Sequence, residues 1–511
     1  MITDAHTERE ITFDGALSQE LTAVRPPGVA RTETCETEIL DALYFDTADH
    51  GLLRRGATLR RRTGGHDPGW HLKLPDGHGG RREFRRPLDE SGPEDEVPPA
   101  LQQLACACAR GQRLRPTAHL LTHRRRAVWT DGEERELAEL AADHVAAHVF
   151  AATGPPGSDA GKPGPAVELS TWDELEVELT GGTEDLLALA AQELNAQGLQ
   201  RAEEGIKLAR ALRAAGVEVE PRQRADIDGA GSTAAAVVSA LRQHADHLAS
   251  LEPSVRLDEP DAVHQMRVTT RRLRSVLRGC EGLFDSGRVA ALATDLRWLG
   301  HRLGEYREPE ALRERLTSQA RSLPADCAPQ QAERKLRRTL DRRCRLAHRS
   351  LLDALSSPRY FTLLDRLEDL VADPPLRDGK HPGARRAERI LRHETRRTRR
   401  RMRKAILLPA GDQQDEALHR ARKAAKRTRY MAGALRPVLG SDAKRQERRH
   451  KEIHKRLGRH QDARTAEQAL AELAQREGTH PAQAFAFGFL RSHQRDDSPA
   501  DIAAARDAAG L

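Results

Sequence analysis

Two short stretches carry alternating carboxylates. Glu8 and Glu10 stand in "EREITF", and Glu174, Glu176 and Glu178 stand in "WDELEVEL". In a strand, alternate residues share a face. Glu8 and Glu10 would then share one with Thr12, and Glu174, Glu176 and Glu178 would lie opposite Leu175, Val177 and Leu179. Cations alternate in the same way between them: Arg60 with Arg62, His71 with Lys73, Arg124 with Arg126. Carboxylate oxygens hold hard divalent ions, and arginine and lysine hold phosphate oxygens. A Mg²⁺ ion bridging phosphate oxygens would reconcile both sets in one cavity. Taken singly, each set is also what an ordinary sheet with one wet face would show. Together they predict a β-barrel with a charged interior.

A second set of cations occurs twice. "VHQMRVTTRRLR" (263–274) and "LHRARKAAKRTR" (418–429) share a skeleton. In it, His264, Arg267, Arg271, Arg272 and Arg274 correspond to His419, Arg422, Lys426, Arg427 and Arg429, each pair 155 positions apart. On a helix, positions 264, 267, 271 and 274 form one stripe, with Met266, Leu273, Val276 and Leu277 opposite. Like charges at this spacing repel, and a polyanion would relieve the repulsion. One such helix alone reads equally as a solvated basic face. Solubility, however, does not require the same offsets in both halves. Downstream, "RLGEYREPEAL" (302–312) is echoed by "RLGRHQDARTA" (456–466), a stretch expected to turn the chain and to cap a helix or pair an arginine.

The elements that must position these residues differ between the two halves of the chain. Up to about residue 180 short alternating segments are separated by Gly- and Pro-rich breaks, which predicts strands. "GPPGSDAGKPGP" (154–165) reads as a flexible hairpin loop, and "TEDLLALAAQELNAQG" as a helix ending at Gly198. From about residue 233 the periodicity is helical almost throughout, and a break near 373–383 divides it into two halves with one ladder each, an internal duplication. The expected organisation is a barrel domain over 1–214 and a linker over 215–229. An all-α domain follows over 230–495 (repeats about 230–372 and 384–495), then a C-terminal tail over 496–511. The fold class is α+β multidomain.

Composition narrows the partners. A chain of 511 residues with net charge +7 favours anionic ligands. Only 3% of residues are aromatic and no recognised base-reading motif is present, which counts against a nucleic-acid binder. The N-terminus lacks a charged-then-apolar signal pattern and no run approaches a membrane span, so a cytoplasmic protein without a membrane partner is expected. Six scattered cysteines form no disulfide framework, and Cys106 and Cys108 read as small hydrophobes on a helix.

The duplicated H-x-x-R-x-x-x-[RK]-R-x-R, each followed by L-G-x-x-[RQ]-[DE], resembles the CHAD domain over about 230–495. That resemblance implies two helical-bundle repeats that bind inorganic polyphosphate, through both ladders, and an association with polyphosphate granules. The N-terminal region, over about 5–214, resembles the CYTH domain of the triphosphate tunnel metalloenzymes. Glu8-Arg9-Glu10-Ile11-Thr12 stands where that family has E-x-E-x-K, Arg60-Arg61-Arg62 where it has R-x-R, and Leu72-Lys73 where it has L-K. "GIKLARAL" (205–212) stands at its S-K-x-x-R-A-L ending. The resemblance implies Mg²⁺ or Mn²⁺ on Glu8, Glu10, Asp143, Glu174 and Glu176. It implies a triphosphate-containing small molecule on Arg60, Arg62, Lys73, Arg82, Arg124, Arg126 and Lys207. Thr12 departs from the motif lysine, and threonine cannot supply its positive charge. The readings carried forward are a metal-dependent triphosphatase joined to a polyphosphate binder and a non-catalytic polyphosphate binder with a degenerate barrel. Adenylyl cyclase activity also occurs within the barrel family.

Overall fold

A computed structural model divides the chain into two compact units, Met1–Gln223 and Arg224–Leu511. It describes residues 3–17, 20–77, 79–88, 95–150, 166–203, 205–220, 232–377, 383–494 and 498–511. The expected hairpin loop at 154–165 and most of the expected linker fall outside these. The net charge is unevenly divided: 38 acidic against 26 basic residues in the first unit, 39 against 58 in the second.

The first unit is an antiparallel sheet of eleven strands: β1 Thr3–Glu8, β2 Glu10–Asp14, β3 Arg31–Thr34, β4 Glu38–Asp46, β5 Thr58–Thr63, β6 Gly69–Pro75, β7 Arg81–Arg86, β8 Arg115–Thr130, β9 Glu136–Phe150, β10 Ala166–Leu179 and β11 Gln200–Arg201. Three helices accompany it: α1 Pro99–Ala109, α2 Glu184–Ala196 and α3 Lys207–Ala214. The strand order is β1-β7-β6-β5-β4-β8-β9-β10-β2-β11, with β3 on β8. The expected barrel is therefore corrected, because the hydrogen-bonded ladder is not closed among the described residues. The first strand breaks at Arg9, so β1 pairs with β7 at one end of the path and β2 with β10 near the other. At the break the Leu179 amide donates to the Arg9 carbonyl at 2.9 Å.

Register explains how the charged residues converge. Opposite residues of neighbouring strands point to one face, and the pairs Glu176–Thr12, Glu174–Asp143, Asp143–Arg124, Tyr44–Arg60, Thr58–Lys73 and Lys73–Glu83 extend one charged face across the sheet. The other face is apolar. Ile11, Phe13, Leu140, Leu175 and Val177 pack under Leu186, Ala190 and Leu194 of α2, and Leu59, Leu72 and Phe84 pack with Leu101 and Leu104 of α1. At one end the charged face turns apolar, where Ala118, Leu120, Val145 and Ala147 cover Leu208, Ala211 and Leu212 of α3. Lys207, the first residue of α3, thereby enters the charged region.

The second unit is helical: α4 Thr233–Ser250, α5 Glu252–Arg256, α6 Ala262–Gly279, α7 Ser286–Arg321, α8 Pro329–Leu355, α9 Pro358–Ala372, α10 Ala384–Ile406, α11 Asp412–Ala434, α12 Arg436–Gln475, α13 Pro481–His493 and α14 Ser498–Ala509. The ladders lie on α6 and α11, and Met266, Leu273, Val276, Leu277, Ala421, Ala424 and Thr428 are buried as the periodicity predicts. Two expectations are corrected. The L-G-x-x stretches are not turns but lie inside α7 and α12. Residues 498–509 are not a tail: α14 buries Ala505 and Ala509 against Met402, Ala405 and Leu457. No helix among the described residues is long and apolar enough to cross a membrane.

Candidate functional site

The charged face of the sheet encloses a cavity of about 230 Å³. Its walls include Glu8, Glu10, Glu139, Glu176 and Glu178, facing Arg60, Arg62, Lys73, Arg81, Arg124 and Lys207. Asp143 and Glu174 lie just beneath, 2% and 3% exposed. One oxygen each of Asp143, Glu174 and Glu176 lies within 4.8 Å of the others. The Lys207 ammonium occupies their centre, 3.0 Å from Asp143, 2.5 Å from Glu174 and 2.6 Å from Glu176. Arg124 grips Asp143 with two bonds of 2.7 and 2.6 Å and reaches Glu176 at 2.7 Å. Burial alone would raise a carboxyl pKa. Lys207 and Arg124 more than offset it at Glu176 and hold that group well below the usual range. At Asp143, Arg124 and then Lys207 do the same. Three hard oxygen donors around one cationic atom fit, in donor chemistry, a divalent ion such as Mg²⁺ or Mn²⁺. Here the chain supplies its own cation.

Glu8 and Glu10 stand apart from that cluster. Glu8 pairs with Lys73 at 2.6 Å, and Glu10 pairs with Arg81. Thr12, 5% exposed, lies opposite Glu176 in the ladder and against Gly205, where an added Cβ would stand 3.4 Å from its hydroxyl. Arg60 donates to the Tyr44 hydroxyl at 3.3 Å. Burial, with Arg60 and Arg124 nearby, lowers Arg62 to about 9. Arg126 binds Glu38 and Glu139 at 3.2 and 3.3 Å.

Arg126, held by Glu38 and Glu139, and Arg82 are expected residues that do not line the cavity; Arg82 lies on the other phase of its strand. It lies with Phe84, its guanidinium 4.8 Å from the ring centre, while Arg81, Glu83 and Arg85 line the cavity. Lys73 opposes Glu83 in register, so the alternation in "RREFRR" could have indicated the face of 81, 83 and 85 rather than 82. Glu83 also holds His71 at 2.8 Å, and burial lowers that imidazole to about 4.

In the helical unit the two ladders face each other across α6 and α11, which pack together. Burial, then Arg267, lowers Arg271 to about 10. Lys426 is driven well below an ordinary lysine by burial and by Arg271, Arg422, Arg267 and Arg274. His454 of α12 joins them, lowered to about 2 by burial, Lys426 and Arg422. The buried Nε atoms of Arg271, Arg422 and Arg429, and Nε2 of His454, have no hydrogen-bond partner among the described residues. Gly458 leaves room beside the Arg422 guanidinium, 3.5 Å from where a Cβ would stand. Each ladder histidine is tied to the second motif of its own copy. Arg307 Nε donates to His264 Nδ1 at 3.2 Å, and His419 Nδ1 meets Gln461 Oε1 at 3.0 Å.

Two ladder residues do not join this groove. Arg427 forms a two-bond pair with the buried Glu394 of α10, at 2.6 and 2.7 Å. Arg272 lies over the Tyr430 ring and beside His244 of α4. Both stand about 100° around the helix from their preceding ladder residue. Sequence reasoning missed His454, which has no histidine counterpart in the first copy.

Comparison with known proteins agrees with this division. The CYTH domain profile matches residues 19–212 and the CHAD domain profile matches residues 239–471. "Uncharacterized protein Rv2226" of Mycobacterium tuberculosis (strain ATCC 25618 / H37Rv) is 38% identical over 477 residues, covering 92% of this chain and 88% of that one. The chain belongs to the family of proteins that join a CYTH domain to a CHAD domain. Among solved structures, the CHAD domain of the plant Ricinus communis is 26% identical, with TM-score 0.45, covering 57% of this chain and 96% of that one. HpAC1 from Hippeastrum, for which a dominant triphosphatase activity is described, is 17% identical, with TM-score 0.23, covering 41% and 96%.

Proposed function

We propose that this protein binds phosphate polyanions in both units: inorganic polyphosphate in the groove between α6 and α11, and a triphosphate with a divalent metal in the sheet cavity. The observation that carries the reading is the groove itself. Arg267 and Arg271 face Arg422 and Lys426, and buried guanidinium donors lack acceptors. Cations pressed together in this way cost folding energy, and buried donors without partners add about 1–3 kcal/mol each. A chain of phosphate oxygens supplies both the charge and the acceptors. Arginine forks suit that ligand better than point charges do.

In the sheet cavity Asp143, Glu174 and Glu176 would hold Mg²⁺ or Mn²⁺, and Glu8 and Glu10, which stand apart on Lys73 and Arg81, would add oxygens from elsewhere on the cavity wall. A bound divalent ion there would neutralise phosphate oxygens and polarise a terminal phosphoryl group. Arg60, Arg62 and Lys73 line the same space and would clamp the remaining oxygens. Lys207 holds the carboxylates ionised and gathered, and it yields or shares them when a metal–triphosphate complex enters. With Thr12 at the motif position, we read the cavity primarily as a binding site and place turnover second.

The test measures binding of long-chain polyphosphate to the full-length protein, and phosphate release from tripolyphosphate with Mg²⁺ or Mn²⁺. Replacing Arg267, Arg271, Arg422 and Lys426 by Ala is expected to weaken polyphosphate binding far more than replacing an equal number of exposed arginines. Equal losses would overturn the groove reading.

A further inference from the structure

The helical unit carries another line of cations, separate from the duplicated ladders. α10 buries Ala387, Leu391, Glu394, Thr398, Met402 and Ala405 along one side. Arg385, Arg389, Arg392, Arg396, Arg400 and Arg403 are exposed, and at 100° per residue they fall within an arc of roughly 80° on the other side. From Arg385 to Arg403 the helix rises about 27 Å, one guanidinium for every ~5 Å. Among the described residues one carboxylate forms an ion pair with this line, Glu388 at 3.7 Å from Arg392.

α8 gives the contrast. It is also rich in exposed arginine, but its arginines share cavities with acids: Arg338 and Arg342 with Glu472 and Glu477, and Arg345 and Arg349 with Asp258 and Asp341. Along α10 the Glu388–Arg392 pair is the single such relief among the described residues. The chemistry of the stripe narrows its ligand. Arginine forks match phosphate oxygens. α10 carries no Phe, Tyr or Trp on which bases could stack, and no apolar side chain interrupts the stripe between Arg385 and Arg403, the exposed Leu407 lying past its end. A duplex winds its phosphates around an axis, so a straight rail meets each strand only where it crosses. A flexible inorganic chain can lie along the whole line.

We propose that the exposed face of α10 is a second binding site for linear inorganic polyphosphate, engaged by long chains in addition to the groove. This rests on the reading that the groove takes the same polyanion. α10 packs directly against α11 through Arg427–Glu394 and Thr398–Thr428, so both sites belong to one folded body. A chain held at one site then meets the other at high effective concentration.

The experiment uses the full-length protein in four forms: wild type; a rail variant with all six α10 arginines changed to Gln; a control with Arg334, Arg338, Arg342, Arg345 and Arg349 of α8 changed to Gln; and the groove variant above. Long-chain polyphosphate and tripolyphosphate are titrated across a salt series. The rail variant is expected to lose roughly tenfold or more in affinity for the long chain, and the slope of log K against log salt to fall by about 4, at ~0.7 per lost contact. Its tripolyphosphate binding and the α8 control are expected to stay near wild type. Equal losses in the rail and α8 variants, or an unchanged rail variant, would overturn the proposal. So would duplex DNA or phosphatidylserine vesicles losing affinity in the rail variant while polyphosphate does not. If circular dichroism shows the six-fold variant unfolded, Arg389→Gln with Arg392→Gln and Arg396→Gln carries the same expectation at half the slope change. A groove variant that binds polyphosphate like wild type refutes the groove reading; a failing rail alone leaves that reading standing.

Discussion

Lys207→Met removes the ammonium from among three carboxylates and keeps the side chain's length. Arg124 remains on Asp143 and Glu176, and the Trp172 indole nitrogen remains on Glu174 at 2.6 Å. The loss is therefore partial, and we expect about 3 kcal/mol, the lower end for breaking a buried ion pair. In a unit of this size that corresponds to roughly 6–12 °C in Tm. The distinctive expectation is its repair. Metal at a hundredfold excess over its Kd restores about 2.7 kcal/mol, so Mg²⁺ or Mn²⁺ should return most of the lost Tm in the variant and little in the wild type. Differential scanning fluorimetry at pH 7 with graded metal reads both. The pH dependence follows the same logic. Glu176 has a depressed folded pKa, so its contribution is complete above its unfolded value near 4.5 and is lost as pH falls below it. Without Lys207 that depression is reduced, so the variant should lose less stability than wild type as pH falls below about 4.5. A Tm unaffected by Lys207→Met, or a variant no more responsive to metal than wild type, would refute the reasoning that this ammonium stands where a divalent ion would sit.

Other predictions follow from the helical unit and from position 12. Arg427→Ala strands Glu394, 4% exposed, and should cost about 3 kcal/mol in denaturant unfolding while the folded variant keeps its polyphosphate affinity. Arg422→Ala should do the reverse, weakening binding with stability unchanged or raised. His454 is held far below its unfolded value near 6.5, so the unfolded chain takes up a proton first and stability falls as pH drops from about 6.5. His454→Leu should flatten that part of the pH–stability curve, and a bound polyanion should do so in the wild type. Thr12→Lys adds an amine opposite Glu176 and should raise phosphate release from tripolyphosphate by on the order of tenfold. A rate unchanged or reduced would show that Lys207, already on Glu176, supplies the needed charge.

The parts legible in the sequence were those governed by short-range periodicity. Alternation put Glu8, Lys73 and Glu176 on one face of their strands, and the 3.6-residue period put Arg267 and Arg271 opposite Met266 and Leu273. What periodicity cannot give is register between strands or the angle at which helices meet. The run of arginines around Arg82 offers two phases, and only pairing with Lys73 and Glu8 selects 81, 83 and 85 for the cavity. Arg427 looks like its ladder neighbours in sequence because its partner Glu394 lies 33 positions away on α10. His454 joins the groove only through the crossing of α12 with α11. The open ladder was invisible for a related reason: one backbone break at Arg9 lets a single segment pair with two distant strands.

That break also sets the order in which the first unit can be completed during synthesis. β2 takes its place between β10 and β11, and its first partner is β10, where Thr12 meets Glu176, 164 residues later in the chain. At 5–20 residues per second the N-terminal segment waits roughly 10–30 s for its partner. During that interval Ile11 and Phe13, later fully covered, stand on an unpaired edge, and flanking Glu8, Glu10 and Asp14 keep like segments of neighbouring nascent chains apart. A slow, long-range closure of this kind is a high-contact-order step. β2 is therefore among the last elements of its unit to be secured.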